Sequence, residues 1–256
     1  MRNATIIFCF IFLSGVSLYS QENIQPKKKL QFSGNINLTN NGFSFIPLFS
    51  LGKPASTVNL SIRGKRLSFD PQFRFDLDGM RPWSFLFIWH YQLIQKEKFQ
   101  LQLGSYFPAY AFANLDYTRN DRAVQVLTPQ RFFIWTLRMN YVLSDKVNLR
   151  LSYLNGRGME AYDQTDRGNF LSFGASINKI KLGKSIRLRF NPELYFLKID
   201  TSHGFYIAQT LSLGHAKFPI SISSSMNKSI DSNINAKTFD WNIGINYSFS
   251  NTYYKK

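Results

Sequence analysis

The chain has 256 residues, 44% hydrophobic and only 18% charged, which excludes a disordered tail or a long charged coiled coil. Aromatic residues reach 16%, with 25 Phe and 13 Tyr, so large rings must be placed at high density. Lysine and arginine number 31 against 15 acids, a formal charge of +16, which admits acidic surfaces as partners but says nothing about fold.

Residues 1–20 read as an export signal. Arg2 is the only charged residue before Glu22, Ile6–Leu13 is apolar, and small residues follow at Gly15, Ser17 and Ser20. Cleavage is expected near Ser20 or Ser17. The apolar run is short of the roughly 20 residues a spanning helix needs. Cys9, the single cysteine, lies inside it, so the exported chain carries no disulfide, zinc cluster or thiol nucleophile. Export also removes nucleic acid as a partner, despite the basic charge.

After residue 21 the chain alternates. From Phe239 to Phe249 the odd positions read Phe, Trp, Ile, Ile, Tyr, Phe, and the even ones Asp, Asn, Gly, Asn, Ser. From Arg66 to Asp78 the odd positions Leu67, Phe69, Pro71, Phe73, Phe75 and Leu77 alternate with wholly polar neighbours. A period of two over such lengths marks strands with one apolar and one wet face. Strands are expected near 30–39, 43–51, 57–63, 66–77, 83–94, 98–107, 131–143, 147–154, 169–179, 185–197, 205–213, 218–226 and 237–249. Asn40-Asn41-Gly42, Gly64-Lys65, Ser144-Asp145-Lys146, Gly183-Lys184 and 214–217 supply turn chemistry.

A soluble sandwich also alternates, but its strands average about five or six residues. A bilayer-spanning strand needs about nine to eleven, the length of the best strands here. Arg and Asp lie mid-strand on the wet face. Aromatics at strand ends (Trp83, Tyr106, Tyr141, Tyr153, Phe249) fit interfacial girdles. The expected fold is therefore an all-β, transmembrane, antiparallel up-and-down β-barrel in the outer membrane of a Gram-negative bacterium, with outer-membrane lipid as its surroundings. An even strand number is met by twelve strands over 43–249, leaving 21–42 as a periplasmic or lumenal segment or a first-strand extension, and 250–256 as a tail. Fourteen strands is the alternative, with 108–130 supplying the extra one.

Connection lengths orient it. With a periplasmic C-terminus, 227–236, 199–204, 155–168 and 108–130 fall outside as long loops, and 64–65, 95–98, 144–146, 180–184 and 214–217 fall inside as tight turns. Pro47, Pro71, Pro108, Pro192 and Pro219 all belong to outward-running strands under this scheme, each expected at a bulge or weak point.

Asn242, Gly244, Tyr247 and Phe249 follow the pattern polar–x–Gly–x–x–aromatic–x–aromatic, which resembles the terminal-strand signal read by the barrel-assembly machinery. The stretches Asn41–Pro54 and Leu67–Phe75 resemble uncharacterised, porin-like outer-membrane β-barrel proteins of Bacteroidota-type bacteria. That resemblance implies a fold and a compartment; it implies no activity and no functional residues.

Chemistry is sparse. His90, His203 and His215 have no sequence partner at metal-ligand spacing, and no cofactor is expected. His90 lies on the wet face, where lumenal hydrogen bonding is the expected role. No Gly-x-Ser-x-Gly motif is present, so an outer-membrane lipid-modifying enzyme is the weakest of three readings. The informative set is the lumen-facing arginines Arg63, Arg66, Arg74, Arg138, Arg150, Arg187 and Arg189, opposed by Asp70, Asp76, Asp78, Glu193 and Asp240. Guanidinium groups line anion-preferring pores, so a small passive channel for anionic or polar solutes leads. The alternative is a plugged structural or interaction barrel, in which these charges pair across the lumen.

Overall fold

The structure, a computed structural model, describes residues 29–119, 122–160 and 165–254. The export signal expected over 1–20 lies outside the described residues. Among them, no helix is long and apolar enough to cross a membrane.

The strands are β1 (Lys29–Thr39), β2 (Ala55–Arg63), β3 (Leu67–Phe69), β4 (Gln72–Asp76), β5 (Pro82–Gln95), β6 (Phe99–Arg119) and β7 (Arg122–Val142). They continue as β8 (Val147–Gly158), β9 (Arg167–Leu182), β10 (Ile186–Ile199), β11 (Ser202–His215), β12 (Ile220–Ser232) and β13 (Phe239–Tyr254). Apart from β3 and β4, which do not pair with each other, successive strands pair antiparallel, and β1 pairs with both β2 and β13, closing the sheet into a barrel. Both β3 and β4 pair with β2 and β5, so they are halves of one stave. The interruption falls at Asp70-Pro71, where proline offers no N–H to the ladder. The flanking bonds survive: Asp70 N–H donates to Ile88 O at 2.7 Å and Leu60 N–H to Pro71 O at 3.0 Å. Counting that pair once gives a barrel of twelve staves.

The membership of the twelve differs from the expectation at the N-terminus. Residues 30–39 form β1, a full stave, and 43–51 form no strand. In β1, Leu30, Ile36 and Leu38 point outward, while Gln31, Asn35, Asn37 and Thr39 face in and bond across to β13. In 43–51 a short 3-10 turn, Pro47–Phe49, breaks the chain instead. Here the loop closes on itself: Gly42 N–H donates to Lys53 O, Leu51 N–H to Gly42 O, and Ser44 N–H to Ser50 Oγ. Such compact closed loops carry their own packing. The C-terminal tail is also absorbed, since β13 runs to Tyr254 with Tyr254 opposite Lys29. Residues 108–130 are no loop either: β6 and β7 continue as a hairpin of two 21-residue strands, each roughly 70 Å long, rising well past the rest of the barrel. They lengthen two staves and add none.

The tight connections and both described chain ends lie at one rim, called here the turn end. The connections 40–54, 77–81, 200–201 and 233–238 lie at the other, the loop end. Outward positions form an apolar belt that includes Leu171, Phe173, Leu194, Ile207, Ile222, Ile243 and Ile245, all largely exposed on the isolated chain. On β3 to β6 that belt is a contiguous aromatic sheet: Phe73 meets Phe85 edge-on at 5.4 Å, and Phe69 stacks on Trp89 at 4.3 Å. Tyr141, Tyr153 and Phe249 stand on this outer face. Trp83 and Tyr106, expected in the girdles, do not: both line the interior, Trp83 being only 8% exposed. Trp83 is the extra residue of a bulge, between the pairs Arg74–Ser84 and Phe75–Pro82, which turns its ring inward, whereas Tyr106 keeps the inward parity of Gln102 and Gly104 and precedes the bulge at Tyr106/Ala109.

The interior is divided along the axis. Towards the loop end it is apolar: Tyr195 stacks on Tyr206 with ring centroids 4.8 Å apart, and both pack with Leu197, Ile199, Ala208 and Ile234. Phe45 and Ile46 of the inward loop pack on this cluster. Towards the turn end the inward positions are Asn, Ser, Thr and Arg.

Candidate functional site

Four cavities follow one another through the lumen. The outermost, about 520 Å³, is walled by Leu48, Phe49, Leu51, Trp83 and Ala111. It shares Phe49, Trp83 and Ala111 with a second cavity of about 380 Å³, whose walls include Phe45, Phe132, Phe170, Arg138 and Arg150. Arg74 is common to the second and to a small polar cavity of about 200 Å³, which in turn shares Asn35, Ser223 and Asn246 with a vestibule of about 1120 Å³. The vestibule, at the turn end, is lined by Arg187, Arg189, Lys179, Asp145 and small polar residues.

Two constrictions separate these spaces. The outer one is made by the inward loop: Phe49 meets Phe132 edge-on at 5.6 Å, and Trp83 Nε1–H donates to Phe49 O at 3.0 Å. The inner one is Arg74, whose guanidinium carbon lies 4.9 Å from the Trp83 ring centroid, a cation–π contact. The loop is tethered at its root, where Asn41 Nδ2 donates to Asp240 Oδ1 and to Trp241 O, each at 2.8 Å.

The sequence-predicted charges separate into distinct groups. Arg74, Arg138 and Arg150 line the central cavities, and Arg187 and Arg189 the vestibule. Arg63 keeps the inward parity but sits exposed at the turn-end rim, and Arg66 falls in the turn between β2 and β3. Asp78 likewise lies in the exposed 77–81 connection and not on a lumenal strand position; its N–H donates to the buried Asp76 Oδ1 at 2.8 Å. Asp70 is a hub, accepting from Ser61 Oγ, from Ser68 Oγ at 2.9 Å and pairing with His90 Nδ1 at 2.9 Å. The serine hydroxyls thus bond the carboxylate, leaving the buried His90 Nε2 without a partner. That is not the nucleophile–imidazole contact of acyl transfer. Glu193 accepts from Arg150 Nη2 at 3.2 Å, and Asp240 bonds Asn41 with Lys237 Nζ 3.9 Å away.

Electrostatically the balance is one-sided. Among the described residues Arg150 alone of the seven arginines forms an ion pair, whereas Asp70, Glu193 and Asp240 are each engaged and Asp145 shares the vestibule wall with Arg187, Arg189 and Lys179. Arg74, Arg138, Arg187 and Arg189 have no carboxylate partner, and Arg138 Nε is buried without any hydrogen bond. Two further buried hydroxyls in the walls of the 380 Å³ cavity, Ser84 Oγ and Ser172 Oγ, also lack partners.

Of the terminal-strand residues, Asn242 faces inward and its Oδ1 accepts from Ser225 N–H at 2.9 Å. Gly244 sits opposite Thr39 of β1, where a Cβ would fall 2.8 Å from Leu38 O. Tyr247 and Phe249 stand outward, Phe249 against Phe32 at 5.7 Å. The sequence reading missed Phe45, Phe49, Trp83, Phe132 and Tyr195 as interior residues. Runs in which alternation lapses, Phe132-Phe133-Ile134-Trp135 and Leu194-Tyr195-Phe196-Leu197, were the available signal: both parities are apolar where one faces a greasy interior.

Among solved structures the chain is similar to the KdgM porin, with 11% identity and a TM-score of 0.51 over 85% of this chain and 99% of that one. The KdgM porin in complex with disordered oligogalacturonate aligns with 10% identity and a TM-score of 0.50, over 86% and 99%. An outer-membrane channel from Pseudomonas putida F1 aligns at 9% identity, TM-score 0.48, over 93% of this chain and 100% of that chain. At such identities the likeness is one of fold, the closed antiparallel barrel of outer-membrane proteins. No family model matches the sequence, and no curated protein matches it.

Proposed function

We propose that this protein is an outer-membrane channel of a Gram-negative bacterium that passes small anionic solutes, with the turn end periplasmic and the loop end outside. The observation that carries the reading is the uncompensated cationic interior. A barrel meant only to be filled would be expected to pair its buried charges, because an unpaired buried ion is costly. Among the described residues, Arg74 and Arg138 in the central cavities are left without carboxylates, and Arg187 and Arg189 add positive charge to the open vestibule. The chain of adjoining cavities supplies room for solute, and the exposed apolar belt supplies the lipid contact.

A second reading draws on the inward loop. Phe45, Ile46 and Phe49 fill the lumen at the level of Trp83, as a plug would. Planar-bilayer conductance across a salt gradient separates the two. A channel of this kind passes anions in preference to cations, and Arg187→Gln with Arg189→Gln weakens that preference. Cation preference would reject the arginine argument, and absence of any conductance from verified folded protein would favour the plugged barrel.

A further inference from the structure

The walls of the 380 Å³ cavity between Phe49 and Arg74 are chemically divided. Phe45, Phe49, Phe132 and Phe170 make one side apolar, while Arg74, Arg138 and Arg150 line the other. Against those three cations stands one carboxylate, Glu193, already bonded to Arg150. Arg138 Nε, Ser84 Oγ and Ser172 Oγ are buried there without partners. Buried polar atoms in folded proteins are nearly always hydrogen-bonded, so three orphans around one cavity mark a place where an acceptor belongs. Water would satisfy the hydroxyls, but it would neither balance the charge nor cover the rings.

We infer that this cavity binds a small amphipathic monoanion, a carboxylate carrying a single aromatic ring or a short alkyl body. The carboxylate meets Arg138 and Arg74, with Ser84 and Ser172 as supporting donors, and the apolar body lies between Phe49 and Phe132. A cavity of 380 Å³ is near the lower end of the roughly 300–1,000 Å³ range of small-molecule sites, which suits one ring and excludes a large ligand. A sugar acid of similar size would bring hydroxyls that the aromatic wall leaves unpaired, and burying them there is unfavourable. A neutral analogue would leave the arginines as they are. This inference rests on the anion-channel reading and deepens it by naming the class of solute that pauses at the centre.

The test is calorimetric titration of the folded, detergent-solubilised full-length mature protein with phenylacetate, phenylacetamide and gluconate. Phenylacetate is expected to bind saturably, at least tenfold more tightly than either of the others. Arg138→Gln should weaken phenylacetate at least tenfold. Glu193→Gln, which releases Arg150, should strengthen it several-fold, an effect that a purely structural role for the pair does not produce. If Arg138→Gln fails to fold, Glu193→Gln carries the comparison alone. Phenylacetate binding no tighter than phenylacetamide, or indifferent to these variants, would overturn the proposal. Anion-selective conductance without phenylacetate binding would remove this site and leave the channel; saturable binding without conductance would do the reverse.

Discussion

Replacing Phe45, Ile46 and Phe49 together by alanine should release the loop from the lumen. Full burial of a large apolar side chain is worth about 1.5–3 kcal/mol. These three are half-buried, on the tyrosine cluster and against Phe132, so together they contribute roughly 2–4 kcal/mol to the inward position. At 1.4 kcal/mol per tenfold, the detached loop rises roughly 30- to 700-fold in population. The barrel ladder is untouched, because none of the three residues belongs to a stave. Single-channel recording in planar bilayers should show larger conductance steps or a longer-lived large-conductance level than the parent. Protection of Phe132→Cys from a water-soluble thiol reagent should fall in parallel. Unchanged conductance together with unchanged labelling would show that the loop does not restrict the lumen and would refute the reasoning.

Three further outcomes follow from the register. Ile245→Arg, at a lipid-facing position 58% exposed on the isolated chain, should cost about 2–4 kcal/mol near the midplane in folding titrations into lipid, whereas Asn246→Arg, facing in, should cost far less; equal costs would place the faces wrongly. Asn37→Cys with Asn246→Cys should form a disulfide on oxidation, since these residues are directly opposed with Nδ2 donating to Oδ1 at 3.0 Å; no cross-link in folded protein would remove β1 from the barrel. Gly104→Ala should destabilise by about 1–3 kcal/mol, because its Cβ would fall 2.7 Å from His90 Cδ2, while Gly168→Ala, with nothing within 4 Å, should be near neutral in the same titration.

Alternation made the barrel legible, because membrane and lumen impose opposite polarities on successive residues of a strand. What alternation cannot distinguish is an apolar face turned to lipid from one turned to a greasy interior. Phe43, Phe45, Pro47 and Phe49 alternate as a spanning strand would, yet Pro47 gives no donor and the Ser44–Ser50 bond folds the segment inward. Trp83 failed for a related reason: it is the extra residue of a bulge, and such a residue exchanges the faces beyond it, while Tyr106 shares the inward parity of Gln102 and Gly104 despite its place near a strand end. The central cavity was illegible because its walls come from the loop and from every strand from β4 to β10, brought together only when the sheet closes.

The pairing of β1 with β13 closes the wall between the first and last staves, and side chains as well as backbone cross it. Asn35, Asn37 and Thr39 reach across it with side-chain bonds, and Asn41 extends the row to Asp240 and Trp241 at the root of the inward loop. The residues of β13 therefore hold the first stave and, through it, the stopper of the lumen. Until β13 arrives, β1 has one neighbour and the loop has no anchor on its far side. Sealing the wall and seating the stopper are thus one mechanical event, and a force that unzips this seam from the loop end acts on the loop before it acts on any other part of the barrel.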